Sequence, residues 1–588
     1  MASTWFVDLA AVRIQTWLAR SARIRYRRGA SFRLADLTTA DHLTTLLPPG
    51  GLVVPNPEAG NVSGVASLCF PAAGLTDDQA REIALNAALA VAQHLRSVFP
   101  ALPLQALWGR GDFYVQAYAG DMRKRAPLLD LPALVQEGIA SRPCGMCRTA
   151  RAVHAGVSFV KEGDDEVDVC VDCYSRVLRG DKAKSSVAGA VSASKPSRLP
   201  EAQQRLHADL AKVTGEGSVF PDDFGDLARW VPKAQGDAAT QLCTIYADGN
   251  RIGALMKVVA DHLTGAAAQD PTAKEQRQTI VAGITEATRR SVAEAAAATM
   301  TGAVKQSGAT DAAAGARVPA LVHLADGDDV LMTVPAAVGW QAARKLGSTF
   351  ASELRQTVSG AGIAKELQDF SLSMGMVFHH ASHPFADVVV LAEDLLVSAK
   401  RQVKGLQASV AFLDITADGE TSIGAREANP DQPRRALTLD ELDTWEAALT
   451  EAAAVEASQR ANVLQLLREV TAEANSGSGV APGDEQESAR GALARRVATM
   501  GERGILALVS ESSESTEQPG QVPEGRAEFV AWVKAIRARL ESDDPGTRDE
   551  LRLRLDIARW WPAPAVSAPQ PDGASPLPDD RPSEGDPS

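Results

Sequence analysis

Residues 321–335, LVHLADGDDVLMTVP, set an acidic tetrapeptide between two short apolar runs. Asp-Gly is among the commonest hairpin-turn pairs, so Asp326-Gly327-Asp328-Asp329 can be a solvated hairpin tip. The same residues can hold carboxylates at a sheet edge for divalent metal ions. A second acidic element bears on the choice, and YADGNRIG at 246–253 supplies one. There Asp248 ends an apolar strand run, and Gly249, Asn250 and Gly253 open a helix.

Working outward, residues 236–428 alternate between strand and helix patterns. QLCTIYADGN reads as a strand and RIGALMKVVADHL as a helix. An Ala-rich helix follows around 273–303, with Ile280, Ile284 and Ala287 on one face. After the hairpin come a helix with Trp340, Ala343, Phe350 and Leu354 at helical spacing, and the strand FSLSMGMVFHH. A helix from Pro384 to about Lys404 and the strand ASVAFLDIT complete the set. The order β-α-α-β-β-α-β predicts a ferredoxin-like sheet. On it Asp248 stands beside the hairpin, and Asp248, Asp328 and Asp329 together can hold two divalent ions about 3.5–4 Å apart. The amides that follow Asp248, at a helix N-terminus, suit a phosphate group.

The whole chain reads as α+β and multidomain, as its 588 residues require. Residues 1–125 mix short strand-like runs with an amphipathic helix, DDQAREIALNAALAVAQHLRSVF. Residues 126–182 carry two C-x2-C pairs, Cys144/Cys147 and Cys170/Cys173, separated by 22 residues. Four soft ligands in that spacing point to a tetrahedral zinc site, structural because no coordination position is left open. Residues 183–235 form a linker and helical connector, and the Ser/Ala/Lys-rich stretch DKAKSSVAGAVSASKPSRLP at 181–200 leads into it. Residues 429–561 are helical, opened by a capping box at Thr438-x-x-Glu441 and interrupted by NSGSGVAPGDEQES and SESSESTEQPGQVPEG. Residues 562–588 hold eight prolines and few apolar side chains, the composition of a disordered tail.

The net charge of −14 and pI near 5.3 give no bulk signature of a nucleic-acid binder. Locally, residues 13–33 hold seven arginines and no acid, which suits RNA phosphates or a solvated helix face. No stretch is apolar enough for a membrane span, and the N-terminus lacks a secretory layout, so a cytoplasmic setting is expected. HHASH (His379, His380, His383) reads as a polar turn near a base or ribose and not as a metal site. His323, Cys69 and Cys243 read as core residues, and Trp560-Trp561 as an anchor for the last helix.

YADGNRIG, LADGDDVLMTVP, MGMVFHHASHPFADVVVLAEDLLVSAK and the cysteine quartet together resemble the large subunit of type III CRISPR effector complexes, the paired-palm polymerase/cyclase family. The resemblance covers most of the chain. IQTWLARSARIRYRRGASFRLADLT followed by LVVPN looks like that family's first, non-catalytic palm. It implies two ferredoxin-like palm domains, a four-cysteine zinc-binding insert and a C-terminal helical domain beside the small helical subunits. It further implies conversion of ATP to cyclic oligoadenylate messengers once a guide RNA has bound target RNA. Asp248, Asp328 and Asp329 then carry Mg²⁺ or Mn²⁺, and Gly249, Asn250, Gly253 and Gly327 contact the nucleotide. AEDLLVSAK is also similar to a helix of bacterial diguanylate cyclases, which makes Lys400 the triphosphate ligand.

The chain departs from the family pattern in three places. Asp326 replaces the first glycine of the family's hairpin, and Asn250 stands where many members carry an aspartate. No His-Asp dipeptide occurs, and the first 90 residues contain only His42, so a form without the HD nuclease domain is expected. The first two departures leave a catalytically impaired scaffold subunit as the alternative, with a free-standing nucleotidyl cyclase as a third reading.

Overall fold

The structure, a computed structural model, describes residues 3–21, 24–59, 64–133, 142–148, 150–157, 166–184, 201–215, 223–229, 240–262, 271–307, 317–361, 370–417, 436–455 and 545–562, with a few isolated positions between them. The two expected interruptions at 475–488 and 510–525, residues 185–200 of the expected linker, and 563–588 of the expected tail lie outside the described residues.

The N-terminal part builds a five-stranded antiparallel sheet. Its elements are β1 (Thr4–Ala11), α1 (Ile14–Ala19), α2 (Ile24–Leu37), α3 (Ala40–Leu46), β2 (Val54–Pro55), β3 (Val65–Pro71), α4 (Asp77–Val98), β4 (Leu104–Gly111), α5 (Tyr114–Ala117), a π-helical turn at Tyr118–Met122, and β5 (Leu129–Leu131). The strand order is β2-β3-β1-β4-β5. Alternation along β1 divides the sheet into two faces. Trp5, Val7 and Leu9 join Leu68 and Trp108 in a core closed by Ala84, Ala88, Val91 and Leu95 of α4. Thr76 and Gln79 form a reciprocal capping box, and Asp77 and Asp78 complement the positive end of α4. The opposite face, with Asp8, Ser67 and Leu107 in register, turns toward the rest of the molecule.

The cysteine module follows as β6 (His154–Val157), β7 (Val167–Val169) and α6 (Val171–Lys184), then α7 (Glu201–Thr214) and α8 (Phe224–Arg229). Asp172 anchors this module to the first sheet: it accepts from Trp17 Nε1 at 3.4 Å and pairs with Arg176 at 2.9 Å. The Arg176 guanidinium lies 4.2 Å from the Trp17 ring. Tyr26 of α2 packs among the cysteines.

A second sheet has six strands in the order β13-β12-β11-β8-β10-β9. It comprises β8 (Gln241–Asn250), α9 (Ile252–His262), α10 (Pro271–Ser307), β9 (Leu321–Asp326), β10 (Asp329–Pro335), α11 (Gly339–Gly360), β11 (Ser371–His380), α12 (Phe385–Val403), β12 (Ser409–Asp414) and β13 (Ala436–Thr438). The expected order of strands and helices is present. Helices cover both faces, which explains why β8 reads as a near-continuous apolar run. Ile245 and Ala247 pack toward α10 and α11, while Leu242 and Tyr246 pack toward α8 and α12. Helices α13 (Leu439–Ala454) and α14 (Pro545–Ala558) close the described chain.

Trp560 stacks on Phe378 at 5.6 Å and donates to Asp414 at 2.7 Å, so it anchors the last helix as expected. His323 and Cys243 are buried, and Cys69 is partly buried against the core. Among the described residues no helix is long and apolar enough to cross a membrane.

Two expectations need correcting. The arginine run is not one solvated strip: Arg27 and Arg28 are 5% and 9% exposed, because α2 lies between the cysteine module and the second sheet. Arg27 stacks over Phe385 at 4.9 Å, and burial pulls its pKa down to about 10. The HHASH turn is not beside the acidic hairpin. His380 pairs with Gln241 at one end of β8, and Asp248 lies seven residues further along that strand, roughly 23 Å at the usual rise. His379 is buried there, bonded to Thr244 at 2.8 Å.

Candidate active site

The DGDD segment is a two-residue hairpin turn whose left-handed residue is Gly327, with φ +62°. Asp326 is the last residue of β9 and pairs with Asp329, so the aspartate in place of the family's first glycine sits in a strand. On its other side Asp329 pairs directly with Asp248 of β8. Thr288 of α10 donates to Gly327 O at 2.8 Å and ties the turn to the helix behind it. Gly249 makes the close approach of the hairpin possible. A Cβ there would fall 2.6 Å from Ile252 Cγ1 and 2.9 Å from Asp328 Cβ.

The two hairpin aspartates differ in place: Asp328 lies in the turn and Asp329 in β10. Asp328 meets Gly249 and, with Asp248, lines a cavity of about 530 Å³ between the two sheets. Burial raises the Asp328 pKa. Asp329 shares the α12 side with Leu331, its neighbour two residues on. On that same side Lys400 of α12 forms an ion pair with Asp248 Oδ2. Burial lowers the Lys400 pKa. The three expected metal-binding aspartates therefore do not converge as one cluster. Asp248 and Asp328 border the cavity, and Asp329 stands beside Asp248, its cross-strand partner, on the Lys400 side.

Gly249, Gly253 and Gly327 also line that cavity, as does Arg251, whose φ of +64° turns the chain from β8 into α9. Asn250 does not. Its amide donates to Ser371 Oγ and Gln407 O, each at 2.9 Å, and accepts from Ser373 at 2.9 Å. At 2% exposure it joins β8 to β11, with both amide hydrogens taken by protein partners.

The first sheet supplies the far wall with Asp8, Ser67, Gln105, Tyr114 and Arg123, none of which stands out in the sequence as a site residue. Asp8 is 4% exposed and accepts from Ser67 Oγ at 2.5 Å and from Tyr114 OH at 2.8 Å. Behind it Asn56 donates to Ser67 Oγ at 3.0 Å. The one available signal was an acid inside the apolar run WFVDLA.

Among the described residues, Cys144, Cys147, Cys170 and Cys173 are the one group of three or more side chains arranged to hold a metal, with all four sulfurs within 4.8 Å of one another. Cys147 and Cys170 sulfurs lie 3.9 Å apart, close to the edge of about 3.8 Å for a tetrahedron with zinc–sulfur bonds near 2.3 Å. Contacts with Cys144 and the other two cysteines push the Cys173 thiol far up, so four thiolates in this space need a cation between them. The quartet is compatible with zinc.

Residues 241–408 match the family described as Cas10/Cmr2, second palm domain. No curated protein matches the chain. Among solved structures it is similar to a Csm1–Csm4 cassette in complex with AMPPNP, at 12% identity and TM-score 0.40 over 94% of this chain and 69% of that one. It is also similar to the Csm1–Csm4 cassette in complex with cA4, at 11% identity and TM-score 0.39 over 95% and 70%. A third, Csm1 from T. onnurineus, has 11% identity and TM-score 0.42 over 95% and 69%. Residues 241–408, with their paired strands and acidic hairpin, are therefore similar to the second palm domain of the Cas10/Cmr2 family.

Proposed function

We propose that this chain is the large subunit of an RNA-guided type III CRISPR effector complex, and that its second palm joins ATP into cyclic oligoadenylates when target RNA is bound. The observation that carries the reading is the cavity between the first sheet and the second palm, with Asp248, Asp328 and the Gly249–Gly253 turn on one wall. On this reading the first sheet is the non-catalytic palm, and the partners are guide RNA, target RNA and the small helical subunit.

The residues divide the work by chemistry. Backbone amides at the start of α9 are suited to phosphate oxygens, and Arg251 adds a cation at the same turn. Asp248 and Asp328 offer the hard oxygen donors that Mg²⁺ or Mn²⁺ takes. Such an ion, when bound, neutralises triphosphate charge and activates the attacking ribose hydroxyl. The hydroxyl attacks the α-phosphate of a second ATP, and pyrophosphate leaves. Lys400 pairs with Asp248 here, and on this reading it turns to the triphosphate once Asp248 has another cation. The protein's contribution is positioning and charge neutralisation. A structural zinc in the cysteine quartet fixes the module that clasps Trp17.

The test is the assembled complex with guide RNA, ATP and Mg²⁺ or Mn²⁺, assayed with and without matching target RNA. Cyclic oligoadenylates that appear only with target, and vanish in Asp248→Asn/Asp328→Asn, are the expected result. Normal target binding with no nucleotide product would leave a scaffold subunit. RNA-independent synthesis by the isolated chain would indicate a free-standing cyclase.

A further inference from the structure

A buried carboxylate bonded only by neutral groups is costly, and among the described residues Asp8 is one. Its hydrogen-bond partners, Ser67 and Tyr114, are both hydroxyl donors, and each uses a different carboxylate oxygen. A carboxylate accepts about four hydrogen bonds, so each oxygen keeps one free lone pair. Ser67 is itself held by Asn56, which fixes the direction of the group. The carboxylate borders the cavity of about 530 Å³, across from Asp248 and Asp328, and that volume lies in the usual range for one small-molecule ligand. Apolar side chains line the same cavity, Val65 and Leu107 from the sheet and Val281 and Ile284 from α10, with Leu107 paired across from Asp8.

We propose that Asp8 is the base-selecting residue of this cavity: it accepts a hydrogen bond from the 6-amine of an adenine ring lodged between the first sheet and α10. The inference rests on the nucleotide reading above and adds to it the group that chooses the base. An ionised carboxylate can only accept, so it takes an amine and repels the carbonyl oxygen that guanine and hypoxanthine carry at the same position. The wall that holds it is two hydroxyl groups, which orient the charge without neutralising it. A site built to bond a polar group discriminates strongly against an analogue that lacks the group, because its own buried atom is left unpaired.

The test measures equilibrium binding of ATP, of purine riboside triphosphate, which lacks the 6-amine, and of GTP. It uses the full chain with Mg²⁺, and no turnover is required. Wild type should prefer ATP to the other two by about tenfold or more. Asp8→Asn, nearly isosteric, should bring the three affinities within about threefold while melting no lower than wild type. Tyr114→Phe, which removes one of the two donors, should give an intermediate loss of preference and guards against a folding defect in the first variant. ATP bound by both proteins with an unchanged preference would overturn the role of Asp8 and leave the nucleotide site standing. A wild-type chain that binds none of the three would overturn the nucleotide reading itself, and this inference with it.

Discussion

The two sheets each carry an aspartate in a central strand, and the two aspartates live under opposite conditions. Asp8 of β1 pairs across the sheet with Ser67, and Asp248 of β8 pairs with Asp329. Asp8 is sealed, bonded by hydroxyls, and pushed up to a pKa of about 6 by burial. Asp248 retains a side-chain exposure of 26% and has a lysine against it. Asp8 faces no acid across the first sheet, where the second has a facing pair and a hairpin tip, so an ion can find two neighbouring carboxylates on the central strands of only one of them. An acid near solvent can trade one cation for another. A sealed acid cannot, and what it can offer is a fixed acceptor.

The sharpest way to break the comparison is to separate the two hairpin acids. Asp328 borders the cavity and Asp329 stands on the Lys400 side. Asp328→Asn should therefore reduce nucleotide turnover by a factor on the order of 10³, as expected for loss of a group that steadies transition-state charge. Asp329→Asn should cost about tenfold less. Equal losses in steady-state oligoadenylate assays would mean that the hairpin rearranges so that both acids meet the nucleotide.

Next in size is the cysteine module, which joins the first sheet to the rest. Cys170→Ser removes one of four sulfurs in a group arranged to hold a metal, and in small sites of that kind metal binding and folding are coupled. On the zinc reading proposed above, elemental analysis should find zinc in the wild type and not in the variant, and α6 should be released from Trp17 with a loss of several kcal/mol in that module. Zinc retained at the wild-type level would show that three sulfurs suffice.

Asp8 itself gives a stability test of opposite sign. Its folded pKa of about 6 lies above the ordinary 3.8, so the folded state holds the proton more tightly than the unfolded chain. Ionising it therefore costs stability, and the cost grows as pH rises from about 4 to about 6 and then levels off. The difference of about two pKa units corresponds to about 3 kcal/mol at neutral pH. Asp8→Asn should raise the melting temperature at pH 7 and leave it unchanged near pH 4. A melting temperature at pH 7 that falls instead would mean that the charge is balanced by a cation.

The second palm was legible in the sequence because its signals are local. The apolar run of β8, the Asp-Gly turn and the Thr438/Glu441 capping box each lie within ten residues, and each forms as read. The first sheet's contribution was not legible, since Asp8 meets donors 59 and 106 residues away. Asn250 looked like a nucleotide contact for the same reason. Its partners at 121 and 157 residues' separation, which consume its amide, are invisible along the chain. Arg27 and Arg28 read as surface because nothing local says that α2 will be covered on both sides.

Gly249→Ala probes the seam between the regions more gently. The added methyl would meet Ile252 and Asp328 at distances real side chains do not adopt, so the hairpin tip must retreat. Overpacking of this kind costs about 1–3 kcal/mol. Nucleotide affinity should fall more than stability, because the displaced carboxylate is the one that borders the cavity. A variant with weaker folding but unchanged ATP affinity would show that Asp328 does not set the shape of the nucleotide site.

The smallest effect belongs to the edge of the second sheet, where β13 runs directly into α13. Thr438 Oγ1 accepts from Glu441 N at 3.1 Å, and Glu441 Oε2 accepts from Thr438 N at 2.7 Å. Both ends of this reciprocal pair satisfy amides that the first helical turn leaves open. Thr438→Ala should cost about 1 kcal/mol, read as a modest drop in denaturant midpoint. Because the box lies on the edge strand, away from Asp8 and Asp248 alike, nucleotide preference should not move. A shift in preference there would mean that the C-terminal helices are coupled to the cavity, and that the contrast between the two aspartates is set by more than their immediate surroundings.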